Sequence, residues 1–215
     1  MISLLPPATE IICAPDPEAQ LVGISHECDH PPEALHLPRI TSTPIDTAAS
    51  SAGIDAQVVA ARASGRAVIG VEADALRAAR PELILTQGLC DVCAVSDGQV
   101  HRLAAAMTPE PAVLSLEAHD FATILLDVRR IAVAIGADVA GRALSTELAM
   151  RLAEVYRGVL QLPPVERRVV CLEWLDPVYL AGHWVPELVA AAGGVDVGAT
   201  PGSRSRRTTW PEVRA

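Results

Sequence analysis

The residues with the clearest chemical potential lie in two short segments rich in cysteine and histidine. The segment HECDH covers residues 26–30, and CDVC covers residues 90–93. The candidate metal ligands in these segments are His26, Cys28, Cys90 and Cys93. Three thiolates and one imidazole form a common tetrahedral zinc set, whereas an iron–sulfur cluster needs a fourth thiolate. Cys171 is the candidate for that fourth ligand, although its place in an apolar run favours a strand position.

The cysteines of the second segment also allow two other interpretations. A CxxC pair just before a helix could do redox chemistry, because the helix dipole lowers the pKa of a thiol at its N-terminus. Asp91 between Cys90 and Cys93 opposes thiolate formation. The remaining interpretation is that these cysteines are inert loop residues, so metal binding, redox chemistry and no chemistry all stay open.

A second group of chemically useful side chains lies near the end of the chain. Trp174, Trp184 and Trp210 all fall in the last fifth of the sequence, where the rest of the apolar content is almost entirely aliphatic. Clustered tryptophan favours a surface that stacks on a planar ligand, although large aromatic side chains also fill cores. Their polar neighbours are Glu173, Asp176, His183 and Arg204.

The elements that must position these groups alternate between short apolar runs and helical stretches. Runs at 2–5, 21–25, 82–87 and 112–116 are typical of buried strands, and the segments between them have helical patterns. This order predicts an α/β fold with a parallel sheet covered by helices on both faces. HECDH and CDVC each follow a predicted strand, so we expect both at the carboxyl edge of the sheet, where ligands bind in such folds.

A long helical region and a second α/β unit follow. Apolar residues recur at helical spacing through 121–135 and again through 144–159, and we expect a single helix over 138–160. Predicted strands at 168–174 and 178–181 then precede a helix at 185–193. We therefore expect two Rossmann-like lobes with parallel sheets: an N-terminal lobe (1–117), a linking region with the long helix (118–162) and a partial C-terminal lobe (163–215). The incomplete second lobe should expose apolar surface around 169–197 and favour self-association.

Composition excludes several classes of protein. The net charge of -9 over 215 residues disfavours nucleic-acid binding. No apolar run approaches the length of a membrane helix, and no leader pattern opens the chain, so a cytoplasmic protein without membrane insertion is expected. Hydrolase and nucleotide-binding motifs such as GxSxG, GxGxxG and GxxxxGK[ST] are absent, and we expect no enzymatic activity.

Several motifs together carry a resemblance to a known family. MISLLPPATEIICA, LVGISHECDHPPE and LRAARPELILTQ resemble the opening strands and helices of the cobalamin and iron-siderophore substrate-binding proteins of ABC importers. SHECD, LCDVCA and LEWLDPVYLAGHWVPELV resemble the cobalamin-binding subgroup. The resemblance implies two α/β lobes joined by one long helix, with the ligand between them. Relatives carry an export signal, are periplasmic or lipid-anchored, and continue through further elements of the second lobe, so transport through an ABC permease is expected only if the protein is exported.

A corrinoid would suit the residues present. Its flat, largely apolar macrocycle could pack on Trp174 and Trp184, and His26 or His183 could approach the metal as an axial ligand. The other expected ligand contacts are Cys28, Asp29, Gln87, Cys90, Glu173, Asp176 and Arg204. A ferric siderophore, which is anionic, would fit these acidic loops less well. The alternatives are a zinc, iron–sulfur or redox protein on the same scaffold, and a degraded gene product that binds nothing.

Overall fold

The computed structural model describes residues 1–14, 20–88, 95–163 and 165–214. The helices are α1 (Pro6–Cys13), α2 (Ser51–Ala63), α3 (Ala73–Ala79), α4 (Asp97–Ala105), α5 (Phe121–Ala134), α6 (Asp138–Val159), α7 (Val185–Ala191) and α8 (Trp210–Val213), with a 3₁₀ turn at Pro32–Ala34. The strands are β1 (Ile2–Ser3), β2 (Thr41–Ser42), β3 (Gly70–Val71), β4 (Leu83–Gln87), β5 (Ala112–Leu116), β6 (Arg167–Val169), β7 (Leu172–Leu175), β8 (Val178–Leu180), β9 (Gly194–Asp196) and β10 (Arg206–Arg207).

The N-terminal lobe is built on the predicted parallel sheet, in the order β1-β4-β5. The predicted strand at 21–25 is reduced to single parallel bridges, in which Gly23 pairs with Ile2 and Ile24 pairs with Arg39. Its backbone is shared between the sheet and the 38–40 segment, because Ile24 N–H donates to Pro38 O and Ile24 O accepts from Ile40 N–H. β2 and β3 form a separate antiparallel pair that the sequence pattern did not indicate.

Helices cover both faces of this sheet. Alternating residues of β4 point to opposite sides, so Ile84 belongs to one apolar cluster and Leu85 to the other. The first cluster includes side chains of α2, α3 and α4, and the second includes side chains of α1 and α5. This two-sided burial explains why β4 has consecutive aliphatic residues at 83–85 in place of an alternating pattern.

The helical region after β5 forms as predicted, with α6 as one unbroken helix. α5 and α6 pack closely around the turn at Gly136, where Gly141 lies against the methyl group of Ala132 and Arg129 Nε donates to Ser145 Oγ at 2.9 Å. The predicted apolar stripe of α6 is only partly covered by other residues: Leu144 and Leu148 are half-buried, and Val155 is 48% exposed. None of the helices formed by the described residues is long and apolar enough to cross a bilayer.

The second lobe differs in strand pairing from the prediction of a purely parallel sheet. β6 and β9 pair in parallel, as expected, but β7, β8 and β10 form an antiparallel sheet in the order β10-β8-β7. The predicted strand at 168–174 is divided between β6 and β7, because its two halves pair with different partners. The expected exposed apolar surface is present, and it includes Leu175, Leu188, Val195 and Val197. Self-association through this surface stays a prediction.

The start of α5 offers a test of local stability. Asp120 and Thr123 form a capping box, in which Thr123 N–H donates to Asp120 Oδ1 at 2.7 Å and Asp120 N–H donates to Thr123 Oγ1 at 3.0 Å. We expect Asp120→Ala to lower the free energy of unfolding by about 1 kcal/mol, as measured by urea denaturation at neutral pH.

The hydrogen bonds from Thr123 lower the pKa of the Asp120 carboxyl group. A group with a depressed folded-state pKa contributes its stability above the unfolded pKa and loses it as the pH falls through the folded value. The difference between the native chain and Asp120→Ala should therefore shrink in acid. Asp120→Asn is the control, because its side chain keeps a hydrogen-bond acceptor that does not titrate. If the difference in the free energy of unfolding between the native chain and Asp120→Ala did not change with pH, this account would be contradicted.

A candidate ligand cleft between the lobes

The two lobes meet at the carboxyl edge of the parallel sheet. The segment after β5 leads directly to the second lobe, where the backbone N–H of Phe121 donates to Glu187 Oε2 at 2.7 Å. In the same segment, the ring of His119 lies beside Gly202. We call the junction between this edge and the β7–β8 and 182–205 region of the second lobe the inter-lobe cleft. Its position agrees with the expectation that ligands bind at the carboxyl ends of parallel strands.

A second bridge between the lobes involves the tryptophan predicted to hold a ligand. Trp174 Nε1–H lies within hydrogen-bonding distance of two carbonyls, Ser51 O at 3.2 Å and Asp176 O at 3.0 Å. Tyr179 OH donates to Asp55 Oδ1 at 3.3 Å. Burial and the nearby Asp55 carboxylate raise the pKa of Tyr179, so the hydroxyl keeps its proton and remains a donor. α2 is therefore tied to the β7–β8 hairpin from two points.

The loop that carries His183 and Trp184 is held in an unusual conformation. His183 has φ of 55°, in the left-handed region that costs energy for a residue other than glycine. Two backbone hydrogen bonds hold it there: His183 N–H donates to Ser203 O at 2.5 Å, and Gly202 N–H donates to His183 O at 2.9 Å. Its ring contacts that of Trp184 with centroids 5.9 Å apart, and its buried Nδ1 has no hydrogen-bond partner among the described residues. Strain and an unsatisfied ring nitrogen at one residue are typical of a functional position.

The predicted polar contacts of the second lobe lie on its surface. Glu173 is exposed and accepts a hydrogen bond from Ser205 Oγ at 2.7 Å, which ties β7 to the 203–205 segment. Asp176 and Arg204 are exposed too. Their side chains are accessible to a ligand, and their role as ligand contacts stays a prediction.

The predicted contacts of the N-terminal lobe lie at or beyond the carboxyl ends of its strands. Gln87 is the last residue of β4 and is half-buried, and His26 follows the bridged 23–24 segment with its ring part-exposed. Asp29 is exposed three residues further along the chain. His26 and Gln87 therefore both lie at the carboxyl ends of extended segments of the N-terminal lobe, and their role as ligand contacts stays a prediction.

Cys28 does not lie where it was predicted. It is 3% exposed and packs in the apolar cluster of α1 and α5, and its Sγ is 3.2 Å from Thr9 Oγ1. Thr9 also donates to Ser3 Oγ at 2.9 Å, so the thiol ends a small buried chain of hydroxyl groups. The turn at Ser25–Cys28 directs this side chain inward, because Cys28 N–H donates back to Ser25 O. The thiol is therefore buried and not open to the cleft, and its roles as a ligand contact and as a metal ligand with Cys90 and Cys93 stay predictions.

The other two cysteines of the metal hypothesis, Cys90 and Cys93, lie outside the described residues. Within the described residues, no three His, Cys, Asp or Glu side chains are grouped to hold a metal ion. Cys171, the candidate fourth thiolate, is half-buried between β6 and β7. Burial, and then the Asp196 carboxylate, raise the pKa of its thiol, which disfavours the thiolate that metal binding requires.

Thiol labelling tests these placements. In the folded protein we expect iodoacetamide to leave Cys28 unmodified, because its sulfur is buried, and to modify Cys171 slowly, because its raised pKa leaves little thiolate. Peptide mass spectrometry before and after addition of urea measures both rates. If Cys28 in the native protein reacted as fast as in urea, its burial would be refuted.

A cavity of about 380 Å³ lies between α1, the 3₁₀ turn and α6. Its lining is mainly apolar and includes Ile11, Leu144 and Leu148. His30, Pro31 and Glu33, from the loop that follows His26, also line it.

Sequence reasoning missed several residues that shape the cleft. These residues are Ser25, Thr41, Asp55, Tyr179, Glu187 and Ser205. Serine, threonine and single carboxylates are too common for their spacing to single them out. Tyr179, an aromatic residue between two tryptophans, was the only one with a signal.

Comparison with known proteins finds likeness in structure and none in sequence. No family-level sequence model matches the chain, and no curated protein matches it. The vitamin B12-binding protein BtuF of Vibrio cholerae has a TM-score of 0.66 at 19% identity, with 99% of this chain and 71% of that chain covered. RhuT, a heme-binding protein from Roseiflexus sp. RS-1, has a TM-score of 0.69 at 18% identity, with 99% and 70% covered. The heme-binding protein BhuT, solved with two hemes, has a TM-score of 0.68 at 17% identity, with 99% and 72% covered.

These structures define the fold. The chain has the two-lobed α/β fold of periplasmic substrate-binding proteins, which confirms at the level of fold the resemblance seen in its motifs. The named proteins are periplasmic, and the cytoplasmic location expected from the sequence finds no support in them.

Proposed function

We propose that this chain is a non-enzymatic binding protein for cobalamin or a related corrinoid, held in the inter-lobe cleft. The observation that supports the proposal is the presence of two unlike surfaces on the two lobes, which are joined by the contacts of Phe121 with Glu187 and of Trp174 with Ser51. One surface is the carboxyl edge of a parallel sheet, with His26 and Gln87. The other is the aromatic and imidazole surface of Trp174, His183 and Trp184 on the second lobe. Such a pair of surfaces would suit a flat macrocycle with polar edges.

Charge favours a corrinoid over the other candidate ligands. The exposed cleft loops carry Glu27, Asp29, Glu173 and Asp176, and the whole chain has a net charge of -9. Corrinoid edges carry mainly neutral amides, which can donate to carboxylates. Heme propionates and ferric siderophores are anionic and would meet repulsion from this surface.

Heme is the second candidate. RhuT and BhuT, which share this fold, are named as heme-binding proteins. Two imidazoles, those of His26 and His183, lie on the walls of the cleft and suit an iron macrocycle chemically. A zinc, iron–sulfur or redox role has weaker support, because Cys28 is buried and the pKa of Cys171 is raised.

As part of an importer, the protein would have an ABC-transporter permease as its partner and would work on the periplasmic side of the membrane. Both assignments follow from the proposed role and from the proteins that share the fold. Co-purification with a permease from its own operon would test the partnership directly.

Parallel titrations decide between the ligands. We expect cyanocobalamin to bind the purified protein with one-to-one stoichiometry by isothermal calorimetry, and hemin to bind more weakly. Tighter binding of hemin would replace the corrinoid assignment with heme. If neither ligand gives heat or an absorbance change with protein that is folded by circular dichroism, the proposed function is wrong.

A further inference from the structure

The imidazole of His26 contacts the buried hydroxyl group of Thr41, which in turn contacts the buried hydroxyl group of Ser25. Its Nδ1 lies 2.7 Å from Thr41 Oγ1, and its backbone N–H donates to the same oxygen at 2.9 Å. Thr41 Oγ1 is in turn 3.1 Å from Ser25 Oγ. Ser25 is 1% exposed and Thr41 is 2% exposed, so bulk water does not reach either hydroxyl group.

The acceptors available to the two hydroxyl protons determine the direction of these hydrogen bonds. Among the described residues, the hydroxyl proton of Ser25 has one acceptor within reach, Thr41 Oγ1. Ser25 therefore donates to Thr41, and the Thr41 hydroxyl donates to Nδ1 of His26. The reverse direction, with a proton on Nδ1, would leave the buried Ser25 hydroxyl proton without an acceptor, which is unfavourable.

The loop that carries this histidine is fixed as well. The guanidinium of Arg39 donates to two carbonyls of the turn, Ser25 O at 2.9 Å and Cys28 O at 2.8 Å. Glu27 N–H donates to Ser25 Oγ at 3.3 Å. The backbone around His26 is thus held by Arg39 and by the same serine that sets the proton order. The ring is preorganised before any ligand arrives.

We infer that Ser25 and Thr41 hold His26 as the tautomer with its proton on Nε2, so that His26 is a hydrogen-bond donor to the ligand and not an axial ligand of its metal. This inference rests on the proposed function and deepens it. Nε2 has no hydrogen-bond partner among the described residues, and the ring is part-exposed at the carboxyl edge. The Nε2–H group of His26 would donate a hydrogen bond to an oxygen at the edge of the ligand, either an amide carbonyl of a corrinoid or a propionate of heme. Metal ligation through Nε2 would instead need the proton on Nδ1 and reversal of both hydroxyl groups.

Nitrogen-15 NMR of the ligand-free protein tests the tautomer without any ligand. Long-range proton–nitrogen correlations of His26 should show a protonated Nε2 and an unprotonated Nδ1. Thr41→Val should mix the two tautomers, and Thr41→Ser, which keeps the hydroxyl group, should not. A proton on Nδ1 in the native protein would overturn the inference whatever the protein binds.

Binding of cyanocobalamin and of hemin tests the role of the donor. We expect His26→Ala to weaken the ligand that binds by about tenfold, the effect of one lost hydrogen bond of about 1.4 kcal/mol. His26→Gln, which retains an N–H donor, should recover most of the loss. The visible spectrum of the bound ligand should be the same in all three proteins.

A visible spectrum that changes in both variants would show that His26 is an axial ligand and would overturn the inference. Equal affinity of His26→Ala and native protein would overturn it too. Failure of both macrocycles to bind the native protein would refute the proposed function and the ligand role of His26, whereas the NMR result would still decide the tautomer. The two proposals can therefore fail separately.

Discussion

Replacing Trp174 and Trp184 together with alanine is expected to weaken cobalamin binding about thirtyfold. Each aromatic ring packed on the macrocycle should contribute about 1 kcal/mol beyond the area that it buries, and a loss of about 2 kcal/mol corresponds to that change in Kd. Trp174 also bridges the lobes through its contact with Ser51 O. Its removal should therefore weaken the contact between the lobes as well as remove a ring that packs on the ligand. Isothermal calorimetry with cyanocobalamin measures the change.

Two controls distinguish the loss of ring stacking on the ligand from a loss of folded structure: a paired change to phenylalanine and a measurement of tryptophan fluorescence. The paired change to Phe keeps a ring at each position and should recover most of the affinity, less the contribution of the Trp174 N–H. The double alanine variant retains Trp210 as its only tryptophan, so the quenching of fluorescence by cobalamin should largely disappear. Unchanged affinity in a folded double alanine variant would show that both residues are structural.

Gly182→Ala is expected to destabilise the second lobe by about 2–3 kcal/mol, which is a large effect for a single methyl group. A Cβ at this position would clash with Ser203 O and would lie 2.5 Å from Ser205 N and 2.7 Å from the carbonyl carbon of Arg204. These atoms are backbone, so they cannot move aside as a side chain would. The 203–205 segment would have to separate from the loop that holds His183, and its hydrogen bond from His183 N–H would be lost. Urea denaturation and calorimetric titration together would measure the losses of stability and binding.

Gly158→Ala is the matched control. It adds the same methyl group near the end of α6, where no atom of the described residues, apart from the adjoining helix backbone, lies within 4 Å of the new carbon. Because alanine has the higher helix propensity, we expect this variant to be more stable by about 0.5 kcal/mol and to bind ligand normally. If Gly182→Ala were as stable as Gly158→Ala, the close approach of the 203–205 segment would be refuted.

The sequence alone was enough to predict the parallel sheet of the N-terminal lobe and its covering helices, although not the β2–β3 pair. Short runs rich in aliphatic residues at 82–87 and 112–116, with helical patterns before and after them, indicate buried strands. Buried parallel strands require helical crossovers, so the position of the carboxyl edge follows from chain order alone. The placement of His26 and Gln87 at that edge needed no further information. The helices at 121–134 and 138–159 were predictable for a similar reason, since an amphipathic period is a local property.

Strand pairing in the second lobe could not be read from the sequence. The short runs around 168–180 fit a parallel or an antiparallel partner equally well, because both need extended apolar residues. Only the tertiary structure shows that β7 and β8 pair as a hairpin and that β10 adds to β8. The pairing of β10 with β8 joins segments that lie far apart in sequence, and the 206–207 segment carries no strand pattern of its own. β7 and β8 are neighbours in sequence, but their apolar residues do not show whether they pair with each other or with other strands.

The burial of individual side chains in HECDH could also be learned only from the tertiary structure. Cys28 and His26 are two residues apart, and both types suit metal binding, yet the turn directs the thiol into the core and leaves the ring part-exposed. The proton order at His26 depends on Ser25 and Thr41, of which Thr41 is 15 residues distant. The sequence by itself determined which residues reach the edge of the sheet, because strand order and chain direction follow from local patterns. Only the tertiary structure decided which of them are free to meet a ligand, because burial and hydrogen bonding depend on neighbours from elsewhere in the chain.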